Sequence, residues 1–411
     1  MDAIHAKPLP LRPNLEQYKK QAKDLLRACK AGDTEALRRI NDQWPDFGPA
    51  SATRTAEGCV LADAQHTIAR EHGFLSWPRF SKHLRGLEHG EVRDFETAVD
   101  AIVGGDLATL GSLLDDNPAL VRQRSTRTHG AALLHYVAAN GVENYRQKTP
   151  ANAVEIADLL LGRGAEPDAT ATMYGGDATT LEMLVSSQHP ADAGVQVALV
   201  DKLVDFGAAV DGPKNDGEPL LTAVLFQYAR AAEALVRRGA RVDSIVIAAG
   251  LGREDLVRSF VADDGSLRPE VRLVTIRAPR VRRDARANLE WALVCAAALG
   301  HTAVVEFLAD RGVDPGVRGF AGLTALHWAA AAADLPLVDL LLARHAPLED
   351  RDNHHHATVL GCALWAATKD SPPPDALRTV ERLLEAGART DAVEFPTGND
   401  AVDEVLRARA G

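Results

Sequence analysis

The sequence lacks the features that would place it in a membrane, a secretory route or a metal-binding class. No run of about 18 apolar residues occurs, so no stretch is suited to crossing a bilayer as a helix. The N-terminal MDAIHAKPLPLRPNLEQYKK has no apolar core of the signal-peptide kind. Cysteine is scarce: Cys29, Cys59, Cys295 and Cys362 form no C-x-x-C pair and no metal-ligand spacing. These absences predict a cytoplasmic protein in a reducing compartment, with no cofactor and no metal. The net charge of −11 provides no basic footprint, so neither nucleic acid nor an anionic membrane is an expected partner. The motifs H-E-x-x-H, G-x-S-x-G, G-x-x-x-x-G-K-[ST] and the EF-hand loop are all missing, which removes the commonest routes to catalysis.

Apolar and charged residues, at 46% and 25%, are those of a folded chain. Their arrangement is periodic. In GLTALHWAAAAADLPLVDLLLARHAPLED, residues 322–350, Thr324 to the alanines after Trp328 predict one helix, and Leu337, Val338, Leu340, Leu341 and Leu342 give a second an apolar face. Thirty-three positions earlier the pattern returns in WALVCAAALGHTAVVEFLADRGVDP: Leu293 matches Leu326, Ala296 matches Ala329, and Gly312 matches His345.

A period of 33 with a T-P-L-H-x-A start resembles the ankyrin repeat, most closely over residues 291–350. Degenerate copies follow the same outline. They include the segments ending at Gly164, Gly207, Gly239 and Gly387, a hairpin in SIVIAAGLGREDLVRSFV, and another in RDFETAVDAIVGGDLATLGSLLDDNPAL. The resemblance implies an all-α ankyrin-repeat solenoid of stacked helical hairpins over residues 89–411, with a degenerate repeat and insertion near 244–288. Each hairpin would bury its apolar face on a neighbour. The recurrent glycine suits the left-handed position after a helix, and His345 breaks that rule.

Residues 1–88 are different. Asn14 with Gln17 resembles a capping box, and Leu15, Tyr18, Ala22, Leu25, Leu26 and Cys29 mark one helical face up to Gly32. LADAQHTIAREHG and SWPRFSKHLRGLE predict two shorter helices. The segment resembles the leader of some bacterial ankyrin-repeat proteins. It is expected to act as an N-terminal helical cap over the first repeat face.

Thr324, His327 and His135 occupy the positions that in ankyrin repeats tie the inner helix to the neighbouring loop, and a structural role is expected for each. The histidine position otherwise holds Val294, Leu221, Glu182 and Gly361, so a regular hydrogen-bond ladder is not expected. His354, His355 and His356 read as a solvated turn, since adjacent side chains on an extended turn diverge. The arginines at 272, 277, 280, 282, 283 and 286 are compatible with holding an acidic peptide or with a solvated insertion.

Two long polar loops, at 140–149 and 187–195, join the helices of consecutive repeats. They carry Asn140, Tyr145, Arg146, Lys148, Gln188 and His189, and stacking in register would bring them side by side. Three functions compete. The resemblance implies a protein-binding scaffold without catalysis. The loops instead suggest an anionic small molecule held by Arg146 or Lys148, or an enzyme with His189 as acid or base near Tyr145. A structural adaptor, docking one partner on the leader and another on the array, is the third.

Overall fold

The computed structural model describes residues 6–10, 12–43, 54–90, 92–275, 284–391 and 393–409. Arg277, Arg280, Arg282 and Arg283 of the arginine-rich stretch lie outside the described residues. The chain divides into two compact units, residues 1–219 and 220–411.

The first unit opens with four helices, α1 (Leu15–Lys30), α2 (Thr34–Asp42), α3 (Leu61–Glu71) and α4 (Trp77–His89). Asn14 caps α1 by accepting the Glu16 N–H at 2.8 Å, in place of the expected reciprocal exchange with Gln17. The apolar face of α1 closes a small core with Ile40, Ile68, Phe74, Phe80 and Leu84. There Tyr18 meets Phe80 edge to face at 5.0 Å. Cys29 and Cys59, both buried, are joined as a disulfide, an observation that stands against the expected reducing compartment.

Hairpin stacking begins with α5 (Arg93–Gly104) and α6 (Leu107–Asp116). The next inner element, Leu133–Ala138, is a 3-10 turn. It stops at Ala139, which takes a left-handed φ of 50°, and the chain swings into the 140–149 loop. Then come α7 (Ala153–Gly162), a two-stranded antiparallel ribbon of β1 (Thr170–Met173) and β2 (Gly176–Thr179), α8 (Thr180–Leu184), α9 (Gln188–Asp192) and α10 (Gln196–Asp205). Inner elements α5, the 133–138 turn and α8 pack in a row, and α6, α7 and α10 form the outer row. Where α8 has Glu182 instead of histidine, a capping box replaces the usual tie: the Thr179 N–H donates to Glu182 Oε2 at 2.8 Å and the Glu182 N–H to Thr179 Oγ1 at 3.2 Å.

The second unit begins within α11 (Glu218–Leu225). It continues through α12 (Ala229–Arg237), α13 (Ile245–Gly250), α14 (Glu254–Phe260), α15 (Ala285–Ala298), α16 (Thr302–Asp310), α17 (Ala325–Ala332), α18 (Leu335–Ala343), α19 (Val359–Ala367), α20 (Ala376–Glu385) and α21 (Asp400–Arg409). Helices α13, α15, α17 and α19 pack one on the next as the inner row, and α14, α16, α18 and α20 follow outside them. Leu293 and Leu326 are fully buried on the adjacent helices α15 and α17, as the 33-residue period predicts. Truncating either to alanine would cost about 2–5 kcal/mol by transfer and cavity terms.

Local chemistry ends each hairpin. Gly239, Gly312 and Gly387 follow α12, α16 and α20 with φ of 98°, 83° and 95°. His345 holds the equivalent position after α18 with φ 59°, a conformation strained for a side-chain-bearing residue. At the start of α17, Thr324 Oγ1 caps the helix and lies 2.8 Å from His327 Nδ1, while His327 Nε2 lies 3.1 Å from the Asp350 carbonyl. That carbonyl belongs to the neighbouring turn. The turn itself is shaped by buried Asp352, which accepts the N–H groups of His354, His355 and Ala357 at 2.7, 2.7 and 2.8 Å.

Candidate functional site

The 140–149 loop sends its charges inward. Glu143 is 1% exposed and forms an ion pair with Arg127. Arg146 is likewise buried. Its Nη1 donates to Glu96 Oε2 at 2.7 Å, and its Nε and Nη2 donate to Asp100 Oδ1 at 3.1 and 2.8 Å. Glu96 and Asp100 are four residues apart on α5, so they share a helical face and grip one guanidinium together. Arg127 completes the network, donating to Glu96 Oε2 at 3.3 Å and to the His72 carbonyl at 3.1 Å, with Phe74 beneath its guanidinium.

Burial by itself would raise the carboxyl pKa values of Glu96 and Glu143. The guanidiniums of Arg127 and Arg146 outweigh it, aided at Glu143 by a hydrogen bond from His129, and both acids are held below the ordinary carboxylate range. Two carboxylates and two guanidiniums therefore stay charged inside the unit, with Asp100 at the rim.

This geometry revises the expected ligand patch. Each nitrogen of Arg146 donates to a protein carboxylate, Glu96 or Asp100. Asn140 faces the other way, donating to Ser186 Oγ at 2.8 Å and accepting from the Tyr174 hydroxyl. Tyr174, at the tip of the β1–β2 ribbon, thus joins Asn140 and not Tyr145. Gln188 is exposed and donates to Asp192 Oδ2 at 3.0 Å on its own helix. Lys148 and His189 are exposed, and neither side chain makes a hydrogen bond among the described residues. Of the six candidates, Tyr145 and Arg146 line one cleft together with α5 and the proline-containing segment before α1. Glu96, Asp100 and Arg127 gave no signal in the sequence, because their pairing depends on partners 31 to 50 positions away.

His135 is fully buried and its Nδ1 accepts the Ala132 N–H at 3.2 Å. Burial lowers the His135 pKa to about 4, as a histidine inside a packed repeat requires. No group of three or more potential metal ligands occurs among the described residues, and none of their helices is long and apolar enough to cross a membrane. Of the arginine-rich stretch, Arg272 pairs with Asp243 at 2.8 Å and Arg286 with Glu290 at 3.0 Å.

The second unit presents aromatic side chains to solvent. Phe226, just after α11, and Phe320, in the turn before α17, lie with ring centroids 6.1 Å apart and are about half exposed. Trp365 on α19 is 59% exposed, with the Lys369 ammonium 3.5 Å from its ring centroid. Single exposed rings are ordinary on protein surfaces, whereas contiguous apolar area marks binding sites.

Residues 245–352 and 293–394 match the family described as ankyrin repeats, in three copies. The matched residues lie in the second unit, and the fold is that of an ankyrin-repeat solenoid of stacked helical hairpins. It is 33% identical over 136 residues to the mouse RelA-associated inhibitor, a match that spans 33% of this chain and 15% of that relative. Among solved structures it is similar to the human ASB11 ankyrin repeat domain, at 17% identity and a TM-score of 0.35, covering 71% of this chain and 98% of that one.

Proposed function

We propose that the chain is a protein-recognition scaffold without catalysis of its own, and that the aromatic surface of its second unit takes the partner. The observation that carries this reading is the Phe226–Phe320 pair, which joins exposed rings from two different repeats. Aromatic anchors of this kind dominate the energetics of protein interfaces. Trp365 is a further exposed ring within the region matched to ankyrin repeats.

Affinity capture from native extract, with Phe320→Ala/Trp365→Ala beside the wild-type chain, tests it. Expected is a partner retained by the wild type, lost by the double variant, and kept by Phe206→Ala, which removes an exposed ring of the first unit. Equal capture by all three, or none by any, would overturn the reading.

Two finer statements belong to the same reading. One is the role of residues 1–88 as a cap of the bacterial leader type, supported by the hydrogen bonds of Thr128 to the Gly73 carbonyl and of Arg127 to the His72 carbonyl. The other is a cytoplasmic setting, for which the Cys29–Cys59 disulfide is the opposing observation.

A further inference from the structure

A pocket of about 390 Å³ opens in the first unit where the segment after α6 meets the end of α7, a size that accommodates a small organic ligand. Arg122 closes the 3-10 turn Pro118–Arg122, Gln123 is extended at φ −66° and ψ 158°, and Arg124 bridges Ala132 as an antiparallel partner. Alternation along an extended stretch turns side chains 122 and 124 to one side, and both line the pocket. Val121, Ala132 and Ala169, all buried, supply its apolar surface.

Both arginines are exposed, and each is held by backbone carbonyls instead of a carboxylate. Arg122 Nε donates to the Gly164 carbonyl at 3.5 Å, and Arg124 Nη1 donates to the carbonyls of Gly130, at 3.3 Å, and Thr170. Neither forms an ion pair among the described residues, whereas nearby Arg163 pairs with Asp115 at 2.6 Å. The carbonyls position the two guanidiniums yet leave both Nη atoms of Arg122, and the Nε and Nη2 of Arg124, without a bond among the described residues. Four donors on two adjacent cations exceed what a carboxylate's two oxygens accept and suit the three terminal oxygens of a phosphoryl group.

Two features oppose an anion. Glu166 also lines the pocket, exposed and with no bond to its carboxylate among the described residues. The carboxyl end of α7 reaches the pocket through Gly164, although the N–H groups of Arg163, Gly164 and Ala165 already cover the carbonyls of Leu159, Leu161 and Leu160. Two positive side chains against one negative leave the balance cationic, and Glu166 becomes a gauge of the sign of whatever binds.

We propose that this pocket binds a small organic phosphate monoester, its phosphoryl group between Arg122 and Arg124 and its apolar body against Val121, Ala132 and Ala169. Such a group carries a charge of about −2 at neutral pH, which the two guanidiniums match. The site is separate from the protein-binding surface proposed above, and from the anion site that the sequence suggested at Arg146 or Lys148.

Calorimetric titration of the full chain at low ionic strength with phenyl phosphate, inorganic phosphate and benzylamine tests the proposal. Phenyl phosphate is expected to bind at millimolar concentration or below, inorganic phosphate more weakly, and benzylamine not at all. Arg122→Gln and Arg124→Gln should each weaken phenyl phosphate at least about fivefold, while Arg230→Gln, an exposed arginine of the second unit, leaves it unchanged. Glu166→Gln should tighten binding about two- to fivefold with an unchanged unfolding midpoint, a gain that a merely structural role would not produce. If either arginine variant does not fold, Glu166→Gln still decides. No heat with phenyl phosphate, equal affinity for inorganic phosphate, an equal loss in Arg230→Gln, or binding that Glu166→Gln leaves unchanged or weakens would each overturn it.

Discussion

The carboxylate of Glu143 and the guanidinium of Arg127 pair in the interior of the first unit, with side chains 1% and 2% exposed. Buried pairs gain little over apolar replacements, but losing one partner strands a charge. Glu143→Gln is therefore expected to lower stability by about 3–5 kcal/mol, read as a shift of the urea midpoint of the unit's transition. Arg127→Met combined with Glu143→Leu should cost clearly less than the two single changes added together. A loss below about 1 kcal/mol for Glu143→Gln, the level of an exposed pair, would mean that the network is solvated in solution.

Acidification should weaken the fold before any carboxylate protonates. His83 and His135 are fully buried, and burial lowers both from 6.5 to about 4. As pH falls below 6.5 the unfolded chain takes up protons that the folded chain refuses, so stability is lost between 6.5 and about 4. Each unit of difference is worth about 1.4 kcal/mol. Glu96 and Glu143 behave separately. Their depressed values keep a contribution that is present above 4.5 and lost only as pH falls through the folded value. Thermal midpoints measured across this range should decline, and the slope should flatten in His135→Gln. A flat profile in the wild type would show that neither histidine is shielded.

The disulfide closes a loop with a sequence separation of 30 between α1 and the start of α3. Restricting the unfolded chain over that length contributes about 3–4 kcal/mol in the loop-entropy account. Reduction, or Cys29→Ser with Cys59→Ser, should lower the first unit's midpoint by that amount. Thiol titration of the denatured oxidised chain should find only Cys295 and Cys362. In the native chain both should react slowly, since burial pushes their pKa values up to about 12 and about 11. Four thiols in freshly prepared denatured protein would remove the bond and restore the reducing compartment.

The repeat was legible in the sequence because its signal is local: Leu293 and Leu326 recur at the spacing that stacks α15 on α17. Even the degenerate hairpin at α13 and α14 could be read, since its apolar periodicity survives without the leading turn. Helix α2 escaped notice, as did the short ribbon of β1 and β2. The site was less legible, because its pairings are long-range. Arg146 looks like a free cation in ENYRQK, and only the packing of α5 against the following repeat brings Glu96 and Asp100 to it. Cys29 and Cys59 likewise meet through the fold and not through any spacing rule.

His345 occupies the left-handed position after α18 that glycine holds after α12, α16 and α20. A side chain there places Cβ against its own following carbonyl, at a cost of roughly 1–2 kcal/mol, whereas glycine pays mainly in unfolded-state entropy. Its backbone N–H still donates to the Leu342 carbonyl at 3.0 Å, so the cap is formed and only the strain is at issue. His345→Gly is expected to raise the stability of the second unit by about 0.5–1 kcal/mol, with the first unit's transition unmoved. His345→Asn should fall between the two, because asparagine tolerates this region better than other side chains. Chemical denaturation of the three proteins checks the order, and a midpoint lower for glycine than for histidine would show that the imidazole makes a compensating contact in solution.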